Sequence, residues 1–464
     1  MKPFCTPKIC GLFCLFVFIA ASMAFSAPVR PDNPVETVKT LLDSDSFQAG
    51  VESGTTQNGW SAWSQREATR PLFFIAASPN LGGAGSLGIG GASNSSAHGC
   101  WVKNVPGIQP GHWYRFSASF TSELVPWPRQ QALARLEWRN DKGERTAQPE
   151  YVPEIAPSAQ GWQRTGGLFK APEKAASVNI ELYLSYCPQG RLWWDGIRLE
   201  EVKDPGKRMV RVATVNCYPE ETENSAASVE QFCALVEEAG KKGCDIVCLG
   251  EGINMVGIKG RPGYDKIAEP IPGPTTSRLG ELARKYNMYI VAALGELDGS
   301  AIYNTGVLID RKGLVAGRYH KVYLPREEIE AGVTPGDGYP VFDTDFGRIG
   351  IMICWDVTYV DPARALAAQG AEIIFRPIWD GNKTLIRARA IENQVHLVDC
   401  IYGGEPSRIF DPWGEVLAEA SSRPGIAVAD IDLNAAHPEP WLGDMHLRFL
   451  RERRANIKVP ALER

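Results

Sequence analysis

Three strand-like runs in the second half of this chain each stop on a chemically reactive side chain, and that regularity limits what the chain can fold into. Gly347-Arg-Ile-Gly-Ile-Met-Ile ends at Cys354, Cys244-Asp-Ile-Val-Cys-Leu249 leads into Gly-Glu251-Gly, and Gly317-Arg-Tyr-His ends at Lys321. Short apolar runs of this kind read as strands buried on both faces, which need helices to cover them. Beyond Cys354 the segment Trp355 to Pro362 enters the helical pattern Ala363-Arg-Ala-Leu-Ala-Ala-Gln369. Cys354 is therefore predicted on a strand-to-helix turn, where outward N–H groups and a helix N-terminus lower a thiol pKa and hold a developing oxyanion.

A carboxylate, an amine and a thiol in matching positions make a device for attacking an amide-like bond. Glu251 can accept the thiol proton, and the Lys321 ammonium favours thiolate and stabilises negative charge on the substrate oxygen. A lone cysteine at a strand end is more often packing than nucleophile. The ordered trio carries the reading here. His320 is adjacent to Lys321, so in an extended segment it points elsewhere and is read as structural or pocket-lining.

Around these residues the chain resembles the nitrilase superfamily of carbon–nitrogen hydrolases, from about Arg208 to Leu462. The resemblance runs through the opening strand Val210–Asn216, the GEG segment, Pro270-Ile-Pro-Gly-Pro274, Tyr303-Asn-Thr-Gly-Val-Leu-Ile309, the YHK lysine and Cys-Trp-Asp. It continues through Gln369-Gly-Ala-Glu-Ile-Ile374, Arg387-Ala-Arg-Ala-Ile-Glu-Asn393 and the hairpin Ser407–Leu417. It implies an α/β fold with four α-β-β-α layers, Glu251 as general base, Lys321 as the cation beside the oxyanion, Cys354 as nucleophile and the Trp355 N–H as oxyanion donor. It also implies an auxiliary glutamate before Pro335-Gly336. Glu330 is the best match, with Glu327 and Glu328 close enough to leave the assignment open. By family position Trp379 and Asp380 are expected in the substrate pocket.

The reaction so implied is covalent hydrolysis of a small amide or N-carbamoyl amine, with no cofactor. Cys-Trp-Asp followed by Asp-Pro-Ala-Arg is similar to the carbamoylase pattern, whereas nitrilases tend to carry Cys-Trp-Glu. A nitrile substrate, acyl transfer to an amine, and a non-catalytic binding protein with the same fold are the alternatives. Family members often associate through their tails, so a homodimer or larger assembly is expected, and the basic segment Leu447–Arg454 reads as a surface helix.

With 464 residues and 44% hydrophobic content the chain can bury more than one core. The sequence organises as a leader (1–24), a β-rich region (43–202), a linker (203–208) and the hydrolase region (209–464). Lys2 and Lys8 precede the apolar run Ile9–Ala21, and Ser22-Met-Ala24 offers small residues for cleavage, the pattern of a secretory signal peptide. A secreted or periplasmic protein is expected, with an uncleaved N-terminal anchor the lesser alternative. Between Asp43 and Val202, alternating segments such as Trp113–Phe120, Ala134–Trp138, Val178–Leu184 and Leu192–Leu199 are separated by Gly, Pro and Asn turns, which predicts an all-β sandwich. It resembles jelly-roll, galactose-binding-like modules, which makes carbohydrate a candidate ligand through Trp60, Trp63, Trp101 or Trp127. Tryptophans in so small a sandwich more often fill the core. Cys100 and Cys187 could be bridged in an oxidising compartment.

Other chemistries find no support. A formal net charge of −5 and the absence of a basic stripe argue against nucleic acid. The six histidines lack metal-ligand spacing, so no metal is expected. Leu87-Gly-Ile-Gly-Gly91 lacks the helix and downstream acid of a dinucleotide fold, and no Gly-x-Ser-x-Gly elbow is present.

Overall fold

The computed structural model describes residues 35–44, 47, 58–83, 85–153, 156–439, 441–454 and 457. The leader read over residues 1–24 lies outside them. Among the described residues no helix is long and apolar enough to cross a membrane.

In the first part of the chain, alternation of buried and half-buried positions, as in Ala132–Arg139, produces antiparallel strands with one face inward. They form a seven-stranded and a five-stranded sheet. Long central strands, Trp113–Glu123 and Arg191–Val202 in one sheet and Ser177–Ser185 in the other, face each other across a core built on Trp60, Trp101, Trp138, Trp194, Phe116 and Phe120. The strand Thr37–Ser44 pairs with Arg191–Val202, so regular structure begins ahead of the boundary expected at Asp43. A buried indole needs an acceptor, and Trp101 Nε1 donates to Gly88 O at 3.0 Å while Trp138 Nε1 donates to Glu150 Oε1 at 2.7 Å. Two of the sugar-stacking candidates, Trp60 and Trp101, are thus spent on the core; Trp63 and Trp127 stay half exposed. Trp194 joins the core and Trp193, on the opposite face, packs its ring on Phe74. The bridge that Cys100 and Cys187 could form is not made: both thiols are free, Cys100 against Tyr183 and Cys187 directed at Leu124 O.

Residues 203–208 carry no regular structure and lead into two six-stranded sheets. The first has the order Val315–His320, Ala301–Ile309, Tyr289–Asp298, Ile246–Cys248, Met209–Asn216, Gly425–Asp432; the second runs Val341–Asp343, Arg348–Ile351, Ile373–Ile378, His396–Ile401, Ser407–Phe410, Val416–Ala420. The central strands are parallel, and Ile373–Ile378 and His396–Ile401 are buried at every position, as parallel strands covered on both faces must be. The sheets pack on each other through Val212, Val291, Ile351, Phe375 and Val398. Contact is close enough that a Cβ on Gly306 would meet Ile351 at 2.7 Å.

Helices Ser225–Lys241 and Pro274–Tyr286 cover the first sheet through Phe232, Val236, Leu279 and Leu282. Helices Asp361–Ala368 and Lys383–Asn393 cover the second through Leu366 and Ile386. The layering is therefore α-β-β-α. Arg208, at the end of the linker, ties both sheets together by bonding Glu372, Phe346 O and Leu433 O.

The final helix departs from expectation. Met445–Glu452 does not lie on the surface of the hydrolase region; it crosses to the β region, where Leu447 joins the tryptophan core. Arg451 is buried and donates to Val152 O and, at 3.2 Å, to Thr165 Oγ1. A segment at the end of the chain thus completes a core formed at its beginning.

Candidate active site

Each reactive side chain sits just beyond the end of a strand. Ile246–Cys248 delivers Glu251 through the GEG turn, and both glycines have steric reasons. A Cβ on Gly250 would lie 2.2 Å from the Tyr402 hydroxyl, and Gly252 has φ +59°, the left-handed region that glycine adopts freely. Tyr402 fills the space so left and donates to Glu251 O at 2.8 Å, fixing the backbone beneath the carboxylate. Val315–His320 delivers Lys321, whose N–H donates to Asn304 O at 2.9 Å. Arg348–Ile351 leads to Cys354, which has φ +45° at the start of a short 3-10 turn, Cys354–Thr358. A non-glycine residue held there is a strained position of the kind found at functional sites.

Asp356 holds that turn. It is fully buried and accepts from Ile353 N at 2.8 Å, Tyr319 OH at 2.6 Å and Tyr323 N at 2.9 Å. Burial pushes its carboxyl up to about 6, against the pull of these donors. The strained turn is therefore clamped from the strand carrying Lys321.

The charged cluster is tightly drawn. Lys321, 1% exposed, places Nζ 2.9 Å from Glu251 Oε1 and 2.9 Å from Glu328 Oε2. Burial opposes its charge, but Glu251, Cys354 and Glu328 outweigh that and hold the ammonium well above its usual range. Asn304 Nδ2 bridges the two carboxylates, at 2.9 Å from Glu251 Oε1 and 2.8 Å from Glu328 Oε1. Tyr264 OH adds a bond to Glu328 at 3.1 Å. Burial raises the Glu328 carboxyl, with Lys321 pulling the other way. The other oxygen of Glu251 accepts from Trp379 N at 2.9 Å.

Cys354 faces this cluster, close enough for the Glu251 carboxylate and the Lys321 ammonium to act on its thiol. Its thiol is pushed up to about 12, first by burial and then by the Glu251 charge, which the nearby Lys321 only partly offsets. That reverses the expectation of a low-pKa thiol: α-helix starts only at Asp361, and the charge that acts on the thiol most strongly is the Glu251 carboxylate. The resting group is a protonated thiol beside a carboxylate, so any bond formed at this sulfur requires its proton to leave at the same time.

Among the three glutamates left open by sequence, the structure distinguishes Glu328 from Glu330. Glu330 is exposed and paired with Arg326 at 2.7 Å, whereas Glu328 lies against Lys321. Trp355 is 42% exposed, and its N–H belongs to the first turn, where helical N–H groups lack intrahelical acceptors. Trp379 lies edge-on to Tyr402 and Tyr218, half exposed beside Glu251. Asp380 is exposed and accepts from Gly381 N. His320 points away from the cluster, bonding Glu296 Oε2 at 2.9 Å and stacking on Tyr303 at 3.9 Å. Among the described residues no group of three or more His, Cys, Asp or Glu could hold a metal ion.

The carbon-nitrogen hydrolase family model matches residues 211–438. The omega-amidase NIT2 of Bos taurus is 32% identical over 44% of this chain and 83% of its own length. A nitrilase of Pyrococcus abyssi is 35% identical over 48% of this chain and 90% of its own. A solved amidase from Nesterenkonia sp. is similar over 55% of this chain and 96% of that one, at 23% identity and a TM-score of 0.45. The chain belongs to the carbon–nitrogen hydrolases of the nitrilase superfamily and is an amidase-type enzyme.

Proposed function

We propose that the enzyme hydrolyses a small amide or N-carbamoyl amine through an acyl-enzyme on Cys354, with Glu251 as base and Lys321 as electrostatic partner. The observation that carries the reading is the placement of the Cys354 thiol within the field of both Glu251 and Lys321, in a cluster where that carboxylate is fixed by Lys321, Asn304 and Trp379 N. In the first step Sγ attacks the carbonyl carbon as its proton passes to Glu251. The C=O pair moves to oxygen, where Lys321 and the Trp355 N–H stabilise it. Collapse of the intermediate breaks the C–N bond, and Glu251 gives the proton to the departing amine. Water, deprotonated by Glu251, then attacks the thioester and frees the acid and the thiol. Glu328 and Asn304 touch no reacting atom; they keep the ammonium and carboxylate in place.

A nitrile substrate is the second reading, supported by the similarity to a nitrilase. Attack on a nitrile by the same thiol gives a thioimidate, and water supplies the rest. The leader motif supports secretion, and the expected self-association and a carbohydrate ligand of the β region, through the exposed Trp63 or Trp127, belong to the same proposal. Ammonia release from a panel of aliphatic amides, N-carbamoyl amines and nitriles, with wild type and Cys354→Ala under reducing conditions, tests the reading. Cys354-dependent release from amides or carbamoyl amines is expected. Release confined to nitriles moves the assignment to the second reading, and release independent of Cys354 overturns both.

A further inference from the structure

Where the final helix crosses onto the β region, a cavity of about 340 Å3 opens at the seam between the two parts of the chain. Its walls are apolar: Trp127 on one side, Phe449 and Leu450 of the final helix on another, and Ala368 at the end of helix Asp361–Ala368. Among the described residues, the charged groups lining it are Arg129 and Arg453. Arg129 gives one bond to Ala368 O at 3.0 Å. Arg453 has neither ion pair nor hydrogen bond among the described residues, and Arg364, likewise unpaired, adds its positive field there. Behind them the buried Arg451 bonds Val152 O, Thr165 and Arg129 O, with no carboxylate. Burial first, and then Arg129, pulls the Arg451 guanidinium down to about 9.

Four arginines thus converge on one seam of a chain whose net charge is −5. The acid whose field reaches Arg453, Glu392, is engaged by Arg389 at 2.9 Å. Uncompensated guanidinium beside an apolar hollow matches a ligand with an anionic head and an apolar tail, because the guanidinium fork binds a carboxylate bidentately. The volume lies at the small end of the range for small-molecule sites, which favours one free amphiphile over a membrane surface. The cavity touches the last residue of helix Asp361–Ala368, while the nucleophile turn precedes its first, so roughly 12 Å of helix separates it from the chemistry.

We propose that this seam cavity binds a free amphiphilic carboxylate, its head on Arg453 and Arg129 and its tail against Trp127, Phe449 and Leu450. Isothermal titration of the full chain with decanoate and with decanol, below their aggregation limits, tests it. Saturable one-to-one decanoate binding is expected, at least ten-fold tighter than decanol. Arg453→Glu should weaken decanoate at least ten-fold and leave decanol unchanged, and Trp127→Ala should weaken both. Prior alkylation of Cys354 with iodoacetamide should change nothing. Equal affinity for the two probes, absence of saturable binding, wild-type affinity in Arg453→Glu, or loss of binding on alkylation each overturns the proposal.

Discussion

The β region and the hydrolase region bury different kinds of side chain. The first encloses Trp60, Trp101, Trp138 and Trp194, of which Trp101 and Trp138 donate to Gly88 O and Glu150 while the Trp60 and Trp194 indoles have no hydrogen-bond acceptor among the described residues. The second encloses Lys321 between two carboxylates, with a buried Asp356 beneath the Cys354 turn. Removing a tryptophan forfeits packing and leaves a cavity. Removing one member of the charged cluster leaves another charge buried without its partner, a cost of different origin and tied to turnover. Stability and activity should therefore separate in one region and move together in the other.

The sharpest break of that comparison is Lys321→Met, which leaves Glu251 and Glu328 facing each other without a cation. Loss of ~3–5 kcal/mol in urea unfolding is expected, together with loss of ammonia release. Unchanged stability would mean that the carboxylates do not depend on the ammonium. Glu251→Gln should slow hydrolysis by ~10²–10⁴-fold, the usual worth of a general base. The same variant should speed iodoacetamide alkylation of Cys354 at neutral pH, because it removes a negative charge that raises the thiol pKa while Lys321 remains. Slower alkylation would show that the carboxylate does not hold the thiol protonated.

In the β region Trp138→Ala should cost ~3–5 kcal/mol while kcat/KM of the folded enzyme stays within two-fold. A large fall in kcat/KM would tie the two regions together more closely than the comparison allows. His396 provides a milder test by pH. Burial, followed by His437, lowers its pKa from 6.5 to about 3, so the folded protein resists a proton that the unfolded chain accepts. Its stabilising contribution is complete above pH 6.5 and is lost progressively as pH falls toward 3, by ~2 kcal/mol at pH 5. His396→Gln should flatten that part of the curve. The smallest effect is expected from Glu330→Gln, which breaks one exposed i,i+4 pair worth ~0.3–0.5 kcal/mol and leaves turnover intact, whereas Glu328→Gln lowers it.

Strand-end context made Glu251, Lys321 and Cys354 legible in the sequence, because an apolar run that stops on a polar group shows where a buried strand meets a cleft. Glu328 was hidden among three glutamates, which spacing to Pro335-Gly336 does not separate. Helical phase does: Glu327 and Glu330 share a face, Arg326 pairs with Glu330 four residues on, and Glu328 turns inward. Asn304 and Asp356 lay inside recognised motifs, yet their roles depend on partners 53 and 37 positions away, Glu251 and Tyr319. The thiol pKa was misread because sequence shows the coming helix but not that a 3-10 turn intervenes, nor how deep the thiol lies. The β strands were readable from alternation. The crossing of Met445–Glu452 was not, since Arg451 looks solvated until the carbonyls that receive it are in place.

The most direct test of the central claim is the mass of the peptide carrying Cys354 after rapid acid quench during turnover of a reactive amide. The account predicts a gain equal to the acyl group, on Cys354, appearing with released ammonia and absent in Cys354→Ala. Ammonia release at the wild-type rate by Cys354→Ala, or an acyl group found on another residue, would contradict it.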